Sequence, residues 1–325
     1  MEREIEGNLA YGPVPSRRLG RSLGINNIPP KHCSYSCVYC QVGKSSCNTI
    51  TRQCFYSPAK IFEAVQERVD VVRSNKERID YLAFVPDGEP TLDENLGVEI
   101  ELLKNLGIPI AVITNSSMLS RPGVLEALHG ANLVSLKFDA CSEMTWRLIN
   151  RPCKGLSLKA IQDGIKRFSA DFKGVIITET MILDSMDYHG EIEAIASFIG
   201  GIAGVEKAFI STPTRPPAEP WVKPASPGAL QDASDAFNAV LGKNRVEIMD
   251  QYEGNDFSCT GKAEESLLEI VAVHPMREEA AVYFLARGGK GPERLDALVA
   301  EGKLERKTYI GHVYFVKKHE TAKSS

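Results

Sequence analysis

Three closely spaced cysteines near the start of the chain are the residues best suited to metal chemistry. Cys33, Cys37 and Cys40 form the pattern Cys-x3-Cys-x2-Cys. Because so short a loop cannot send three thiolates to different places, we expect one metal centre. Two kinds of metal centre commonly have thiolate ligands. One is a structural zinc with Cys47 or Cys54 as its fourth ligand, and the other is a four-iron cluster that leaves one iron without a protein ligand.

The composition limits where such a centre would work. Eight cysteines in 325 residues are too few for a disulfide scaffold. The acidic start Met1-Glu2-Arg3-Glu4 is unlike a signal peptide, and no apolar run reaches the roughly 18 residues of a membrane span. We therefore expect a cytoplasmic protein without a membrane partner. The formal charge of -4 offers nucleic acid no chain-wide attraction.

Polar residues follow two of the apolar segments that we interpret as strands. Gly88 and Glu89 come directly after residues 81–85, and a glycine beside a carboxylate suits the binding of an ammonium group. Asn115 and Ser116 follow residues 108–113, where their amide and hydroxyl groups could bind a ribose or a carboxylate, or could cap a helix. Glu179 lies inside an apolar strand, and we expect it to face the interior of a barrel.

Alternating apolar and amphipathic segments supply the elements that position these residues. Short runs that are apolar on both faces predict six strands, at 22–25, 81–85, 108–113, 133–138, 175–181 and 208–211. The periodicity between them predicts helices at 58–75, 92–106, 121–128, 143–149, 158–168 and 191–199. Six βα units in about 230 residues are too few for an eight-fold barrel, so the fold class is α/β, with a partial (β/α)6 barrel.

The remaining segments complete the predicted organisation. Residues 1–21 form an N-terminal segment, 22–250 the core domain, 251–261 a linker, 262–319 a small C-terminal domain and 320–325 a tail. Residues 212–228 contain six prolines, which predicts an extended loop over the end of the sheet.

Three helices at 263–273, 277–287 and 292–301, followed by a hairpin at 304–310 and 313–317, predict a winged helix for the C-terminal domain. With 11 basic and 10 acidic residues from Lys262 onward, we expect that this domain does not bind duplex DNA. We predict that its core includes Leu267, Leu268, Ile270 and Val271 of the first helix, Ala280, Tyr283 and Phe284 of the second, and Leu295, Leu298 and Val299 of the third.

The cysteine spacing, followed by a (β/α) domain, resembles the radical S-adenosylmethionine (SAM) superfamily. The resemblance implies that Cys33, Cys37 and Cys40 hold a [4Fe-4S] cluster, and that SAM chelates its open iron. It also implies that an external electron donor of flavodoxin or ferredoxin type supplies the electron that cleaves SAM to a 5′-deoxyadenosyl radical. The protein would then be an enzyme of oxidoreductase or lyase type.

The resemblance also assigns cofactor contacts. Tyr39, the aromatic residue before the third cysteine, would pack near the adenine. Asp87-Gly88-Glu89 resembles the superfamily's Gly-Gly-Glu element, with Asp87 in place of the first glycine, and would bind the amino group. Asp139 at the end of the predicted strand 133–138, and Arg151 further along the chain, would contact the ribose or the methionyl carboxylate, with a structural salt bridge as the alternative.

Longer stretches, including 11–43, 84–92 and 213–219, look like a little-characterised branch of the superfamily that is grouped with the wybutosine-pathway tRNA-modifying enzymes. Those enzymes carry a second cluster on cysteines upstream of the triplet, whereas residues 1–32 contain no cysteine. The resemblance to these enzymes implies that the substrate is tRNA or a phosphorylated small molecule. A protein substrate is the alternative. A metal-stabilised binding module without enzyme activity is the third alternative. Arg17, Arg18 and Arg21 could clamp a phosphate or neutralise nearby carboxylates.

Overall fold

The computed structural model describes residues 8–184, 186–258 and 262–318. Cys259 therefore lies outside the described residues. Thirteen strands are assigned in these parts of the chain: β1 Ala10–Ser16, β2 Gly20–Ile25, β3 His32–Cys33, β4 Cys47–Asn48, β5 Tyr81–Phe84, β6 Ile110–Thr114, β7 Leu133–Lys137, β8 Val175–Met181, β9 Val205–Ser211, β10 Val246–Met249, β11 Met276–Arg277, β12 Leu304–Tyr309 and β13 His312–Lys317.

The α-helices connect the strands. In the same described ranges they are α1 Pro58–Ser74, α2 Leu96–Leu103, α3 Val124–Leu128, α4 Glu143–Ile149, α5 Leu158–Asp171, α6 Glu191–Gly200, α7 Pro227–Leu241, α8 Ala263–Val273, α9 Glu278–Arg287 and α10 Glu293–Ala300. None of the helices in the described parts of the chain is long and apolar enough to cross a membrane.

The main sheet has the strand order β1-β2-β5-β6-β7-β8-β9-β10. The six predicted strands are neighbours and run parallel, and β10 extends them as a seventh parallel strand. β1 pairs antiparallel with β2 at the other edge, where Pro13 and Pro15 are tolerated because an edge strand does not need every backbone N–H for pairing. The α/β class is therefore confirmed, with two strands more than the six predicted.

Alternate residues of the strands face two apolar layers. Leu82 and Phe84 of β5 pack against the helices, while Ala83 between them joins a smaller cluster on the inner face with Phe209 and Met249. This period of two follows from the alternation of side chains along a strand. Since the strands are parallel, their carboxyl ends lie at one edge of the sheet, and polar residues that follow them are brought together.

Two regions differ from the predicted elements. The proline-rich stretch was predicted to be extended through residue 228, whereas α7 begins within it at Pro227. Ser226 caps this helix by accepting a hydrogen bond from the N–H of Ala229, and proline is well tolerated in the first turn. The predicted helix at 92–106 is divided into α2 and two short 3-10 segments, Pro90–Leu92 and Lys104–Leu106.

The C-terminal segment contains the three predicted helices and the predicted hairpin of β12 and β13, and β11 adds a third antiparallel strand. Its apolar core also includes Tyr11, Val14 and Phe257 from outside the segment. All the predicted core residues belong to this cluster or pack against it except Tyr283, which was predicted wrongly: it is 57% exposed, because it lies on the solvent face of α9.

Candidate active site

The three cysteines of the triplet line one cavity of about 340 Å³ at the carboxyl edge of the parallel strands. The loop that carries them is closed by pairing of β3 with β4, which places His32 opposite Cys47. Within the loop, the N–H of Cys40 donates to the carbonyl of Cys37 over 3.1 Å. The spacing therefore brings three thiols to the same cavity, as predicted.

Hydrogen-bond donors surround the thiols. The side-chain amide of Asn115 and the backbone N–H of Tyr35 each lie 3.5 Å from Cys33 Sγ. The amide of Asn150 lies 3.5 Å from Cys37 Sγ. Such N–H groups stabilise negative charge on sulfur, which is the state in which cysteine binds metal.

Burial acts on the thiols in the opposite direction. It raises the pKa of Cys37 to about 12 and raises the pKa of Cys33 and of Cys40 as well. The positive charge of Lys31 partly offsets this rise in the pKa of Cys40. Burial thus favours the protonated form of the thiols, and a bound metal centre would have to supply the positive charge that keeps them ionised.

Gly88 lies where only a glycine fits. A Cβ atom at this position would stand 1.9 Å from the carbonyl oxygen of His32, because the backbone after β5 passes directly against the cysteine loop. A bridge between His32 and Gly88 and a 3.1 Å hydrogen bond from the N–H of Glu89 to His32 O join the two segments. Close backbone contact therefore explains the glycine of this motif.

Glu89 lines the cavity, but its carboxylate also holds neighbouring strand ends together. Oε1 accepts from the N–H of Thr91 at 3.0 Å, from the Thr91 hydroxyl at 2.5 Å and from the Thr114 hydroxyl at 2.7 Å. Oε2 accepts from the N–H of Asn115 at 2.7 Å. Burial raises the pKa of Glu89, and these hydrogen bonds oppose the rise. The side chain thus links the ends of β5 and β6.

Asp87 and Lys31 form a buried ion pair beside the thiols, with 3.5 Å between Lys31 Nζ and Asp87 Oδ1. Both residues line the cavity, and the N–H of Lys31 also donates to the carbonyl of Asp87 over 2.7 Å. Burial raises the pKa of Asp87 to about 6, although Lys31 acts to lower it. The residue that replaces the first glycine of the motif is therefore held by a lysine two positions before Cys33.

The other predicted cofactor contacts divide into two groups. Tyr39 and Asn115 line the cavity, together with Gly88 and Glu89, whereas Ser116, Asp139 and Arg151 are absent from the lining of this cavity as the structure describes it. Ser116 is buried behind it.

Asp139 anchors a buried network behind the cavity. It accepts hydrogen bonds from the Tyr39 hydroxyl, from the Asn150 amide at 2.7 Å and from the N–H of Met181 at 2.9 Å. Tyr39 belongs to the cysteine loop, so the network fixes that loop to the ends of β7 and β8. Arg151 instead pairs with Glu219 at the surface.

Glu179, which was predicted to face the interior of the barrel, lines the cavity. It pairs with Arg18 and, at 3.1 Å, with Lys137, and it accepts a 3.0 Å hydrogen bond from the Ser211 hydroxyl. Burial lowers the pKa of Lys137, whose ammonium group also lies 5.0 Å from the centre of the Tyr39 ring. The carboxylate is thus compensated by two cations.

The three arginines before the triplet do not form a common clamp. Arg18 pairs with Glu179, and Arg21 pairs with Glu77 at 2.6 Å on the outer side of the sheet. Arg17 approaches Glu253 at 3.8 Å, and its buried Nε has no hydrogen-bond partner. Of the two predicted roles, neutralisation of carboxylates is supported, while Arg17 keeps a donor group free in the wall of the cavity.

A cluster around Arg215 closes one side of the cavity, and sequence reasoning missed it. Arg215 binds both carboxylate oxygens of Glu253, approaches His274 Nε2 at 2.8 Å and donates to the carbonyl of Pro275 at 3.2 Å. Gln41 accepts from the same guanidinium at 3.3 Å. The sequence signal was a lone arginine within the proline-rich loop, without any local motif to mark its partners.

The charges of this cluster are strongly perturbed. Burial raises the pKa of Glu253, but Arg215 and its neighbours together outweigh this effect, so that the pKa falls to about 2. Burial, with Arg215 adding to it, lowers the pKa of His274 to about 3. The C-terminal segment therefore presents a neutral imidazole to the cavity, next to an ionised carboxylate.

Together the fold and the cavity define an α/β protein with a thiol-lined site at the carboxyl edge of a parallel sheet. The model of the Radical SAM superfamily matches residues 27–199, more than half of the chain. A UPF0026 protein of Methanocaldococcus jannaschii is 46% identical over 310 residues, which cover 95% of this chain and 96% of that protein. The chain thus belongs to the Radical SAM superfamily and, within it, to the UPF0026 proteins.

Two further similarities are more distant. A protein of Brachyspira hyodysenteriae named GTPase Obg is 30% identical over 313 residues, which cover 95% of this chain but only 45% of that longer one. Among solved structures, a radical SAM methyltransferase from Sphaerobacter thermophilus superposes with a TM-score of 0.52 at 11% identity, covering 70% of this chain and 66% of that one. This structural likeness concerns the fold alone.

Membership of the superfamily implies a [4Fe-4S] cluster and SAM, and the donor set of this chain fits that cluster. In the ranges that the structure describes, no three His, Cys, Asp or Glu side chains converge as ligands of a single metal ion. Cys47 and Cys54, the candidate fourth ligands of a zinc, are absent from the described lining of the cavity. Each thiolate of a four-iron cluster binds a different iron, so its ligands need not converge on one atom.

Proposed function

We propose that the protein is a radical SAM enzyme in which Cys33, Cys37 and Cys40 hold a site-open [4Fe-4S] cluster. When bound, this cluster supplies the electron that cleaves SAM reductively and yields a 5′-deoxyadenosyl radical. The observation that carries the proposal is that, among the residues that the structure describes, three thiols and no fourth line one cavity at the carboxyl edge of the sheet. A reducing compartment such as the cytoplasm suits these free thiols.

The residues around the thiols would orient the cluster and balance its charge. Asn115 and Asn150 would donate their amide hydrogens to the sulfur atoms of Cys33 and Cys37, as they do in the structure. Lys31 would add a positive charge beside Cys40. Outer contacts of this kind fix ligand geometry and tune a metal centre.

The SAM site would lie beside the cysteine loop. Oε2 of Glu89 accepts one hydrogen bond, from the N–H of Asn115, and can accept a second from the amino group of SAM. Gly88 would let the backbone approach, and Tyr39, which lines the cavity, would pack against the adenine. Asp139 would act indirectly in this arrangement, by holding the Tyr39 hydroxyl.

The C-terminal segment would exclude water from the reacting groups. Its three helices and hairpin have the order of a winged helix, and Val273 and His274 at the end of α8 line the cavity. We assign this winged-helix segment to closing the site and docking the substrate. Its charges are nearly balanced, which does not favour binding of duplex DNA.

We further propose that the substrate carries an anionic group, as tRNA or a phosphorylated small molecule does. The support comes from the cavity wall, where Arg17 has a buried Nε without a hydrogen-bond partner and lies 3.8 Å from its nearest carboxylate. A phosphate could complete the hydrogen bonds of this guanidinium. The kinship with wybutosine-pathway enzymes points in the same direction. Modification of a protein is the alternative substrate class.

Anaerobic reconstitution tests the proposed function. The protein should bind about four irons and four sulfides, and should release 5′-deoxyadenosine from SAM when dithionite is added. Cys33→Ala, Cys37→Ala or Cys40→Ala should abolish the broad visible absorption of the cluster, whereas Cys141→Ala and Cys153→Ala, at two free thiols outside the triplet, should retain it. Saturation with zinc in place of iron, or a loss shared by the two control variants, would contradict the proposal.

Cross-linking of the reconstituted protein tests the substrate class. With SAM present, recovery of tRNA that competes with inorganic phosphate would support an anionic substrate, and Arg17→Gln should weaken this recovery about tenfold or more. Arg21→Gln is the matched control, because this arginine faces Glu77 and Asp256 away from the cavity. Specific recovery of a protein instead of RNA, unchanged by Arg17→Gln, would favour the alternative class.

A further inference from the structure

We propose that an acidic one-electron carrier protein of flavodoxin type docks on one exposed face of α4 and delivers its electron there. The face, called the α4 surface below, consists of Lys44, Met144, Arg147, Leu148 and Arg151. The inference rests on the proposed function, because reductive cleavage of SAM consumes one electron that the protein itself cannot supply.

Helical spacing makes this a single surface. Arg147 and Leu148 come three and four residues after Met144, and Arg151 comes four and three residues after them, so the four side chains lie on one side of α4 and its C-terminal extension. The opposite side packs into the protein through Trp146, which is 2% exposed. On the outer side, Met144 is 78% and Leu148 is 47% exposed. Two large apolar side chains in water at adjacent positions are typical of a contact surface.

Basic residues surround these apolar side chains. Arg151 and Lys44 both pair with Glu219, Lys44 at 3.0 Å, so a single carboxylate faces two cations. Lys44 lies four residues after Cys40, the last cysteine of the loop, and its side chain is 63% exposed. The ion pairs thereby tie the end of the cysteine loop to the extension of α4.

Further along the helix, Arg147 pairs with Glu143 at 2.9 Å, and Lys154 is exposed just beyond the helix end. The α4 surface with these neighbours thus has a positive excess, although the formal charge of the whole chain is -4. A local field of this sign attracts and orients an acidic partner. The apolar centre then gives the complex its contact area.

The α4 surface lies directly over one thiol of the cluster site. The N–H of Val38 donates to the carbonyl of Ile149 at 2.9 Å, and the carbonyl of Val38 accepts from the N–H of Glu219 at 3.0 Å. Asn150, next to Arg151, reaches Cys37 Sγ at 3.5 Å. Direct hydrogen bonds therefore join the end of α4, which carries this surface, to the part of the cysteine loop around Cys37.

The transfer is a simple one-electron step. The reduced flavin of the carrier loses one electron, the iron–sulfur group gains it, and no bond is made or broken. The small reductant dithionite performs the same reduction without docking. Comparison of the two reductants therefore isolates the contribution of the surface.

The experiment uses the full, reconstituted protein and a bacterial flavodoxin reduced to its hydroquinone. Stopped-flow bleaching of the cluster absorbance measures electron transfer, and quenching of flavin fluorescence measures binding. The double variant Lys44→Glu/Arg147→Glu should lower the rate with flavodoxin about tenfold or more at about 0.05 M salt. The difference should largely vanish at about 0.5 M salt, where exposed charges are screened. Bleaching by dithionite should be unchanged.

Two further variants complete the series. Leu148→Ser should weaken flavodoxin binding at both salt concentrations, because it removes apolar contact and no charge. Lys104→Glu is the matched control. This lysine directly follows α2, is also exposed and pairs with Glu101 of that helix, but it lies where the chain turns back to enter β6, at the edge of the sheet opposite the thiols. It should leave flavodoxin binding and rate as in the wild type.

The outcomes separate the two proposals. Absence of a cluster, or of 5′-deoxyadenosine with dithionite, refutes the proposed function itself. If these appear but flavodoxin reduces the wild type without salt dependence, or the double variant at the wild-type rate, the docking inference alone is overturned. Loss of tRNA binding in the double variant with unchanged flavodoxin reduction would assign the surface to the substrate, and would overturn the inference as well.

Discussion

Replacement of Arg215 by methionine should destabilise the protein strongly even without any cofactor. The Arg215 side chain is 6% exposed and that of its partner Glu253 is 14% exposed, so the variant leaves a buried carboxylate without its main counter-charge. Removal of one partner from a buried ion pair costs about 3–5 kcal/mol. Because Arg17 remains at 3.8 Å from Glu253, we expect the lower end, about 3 kcal/mol.

A double-mutant cycle isolates the pair. In Arg215→Met/Glu253→Gln neither partner of the buried pair remains, so the loss should shrink to about 1 kcal/mol, well below the sum of the losses in the two single variants. Urea unfolding of the apoprotein measures each free energy. Arg306→Met is a surface control, since this arginine is 41% exposed and pairs with Asp296 and Glu278; its loss should stay below about 1 kcal/mol.

The reasoning would be refuted if Arg215→Met cost no more than the surface control, or if the double variant were as unstable as the single one. Either result would mean that the carboxylate of Glu253 is well solvated in the folded protein. The C-terminal segment would then not be held against the cavity through this charge.

Three further changes should have measurable effects. Glu89→Gln places an amide NH2 against the N–H of Asn115, and should cost about 2 kcal/mol in urea unfolding of the apoprotein; an unchanged midpoint would show that the carboxylate does not link the strand ends. Gly88→Ala forces a Cβ atom against the carbonyl of His32, so cluster loading, followed by visible absorbance, should fall sharply, while Gly107→Ala, at an open position, should not reduce loading. The pKa of Glu253 is depressed when the protein folds, so its stabilising effect is complete above the unfolded value of 4.5 and is lost as the pH falls towards about 2. The stability difference between the wild type and Glu253→Gln should therefore narrow on acidification below pH 4.5, and a pH-independent difference would contradict this assignment.

The core strands could be predicted because their chemistry is local. Runs that are apolar on both faces, such as the one around Leu82, predict strands of a parallel sheet that is covered on both sides. In the structure these runs form such strands. The antiparallel edge strand β1 was missed because Pro13 and Pro15 conceal its pattern. α7 was missed for a related reason: Pro227 was interpreted as a helix breaker although it follows a serine cap.

The part of the candidate site that could be predicted is the part whose residues are close together in the sequence. Cys33, Cys37 and Cys40 are close in sequence, and the structure brings them to one cavity. Arg215, Glu253 and His274 come from three distant segments, and only the packing of the C-terminal segment brings them together. No local pattern could have revealed this contact.

The hydrogen bond between Gln41 and the carbonyl of Val273 has a consequence for the order of maturation. It joins residues 232 positions apart, one of which directly follows Cys40. During synthesis the three thiols emerge long before α8, so they are exposed at first. The C-terminal segment docks afterwards and covers them. Iron and sulfide should accordingly load faster into Arg215→Met, in which the C-terminal segment is held less firmly against the cavity, than into the folded wild-type protein. Equal loading rates would show that the iron–sulfur donor reaches the thiols by another path.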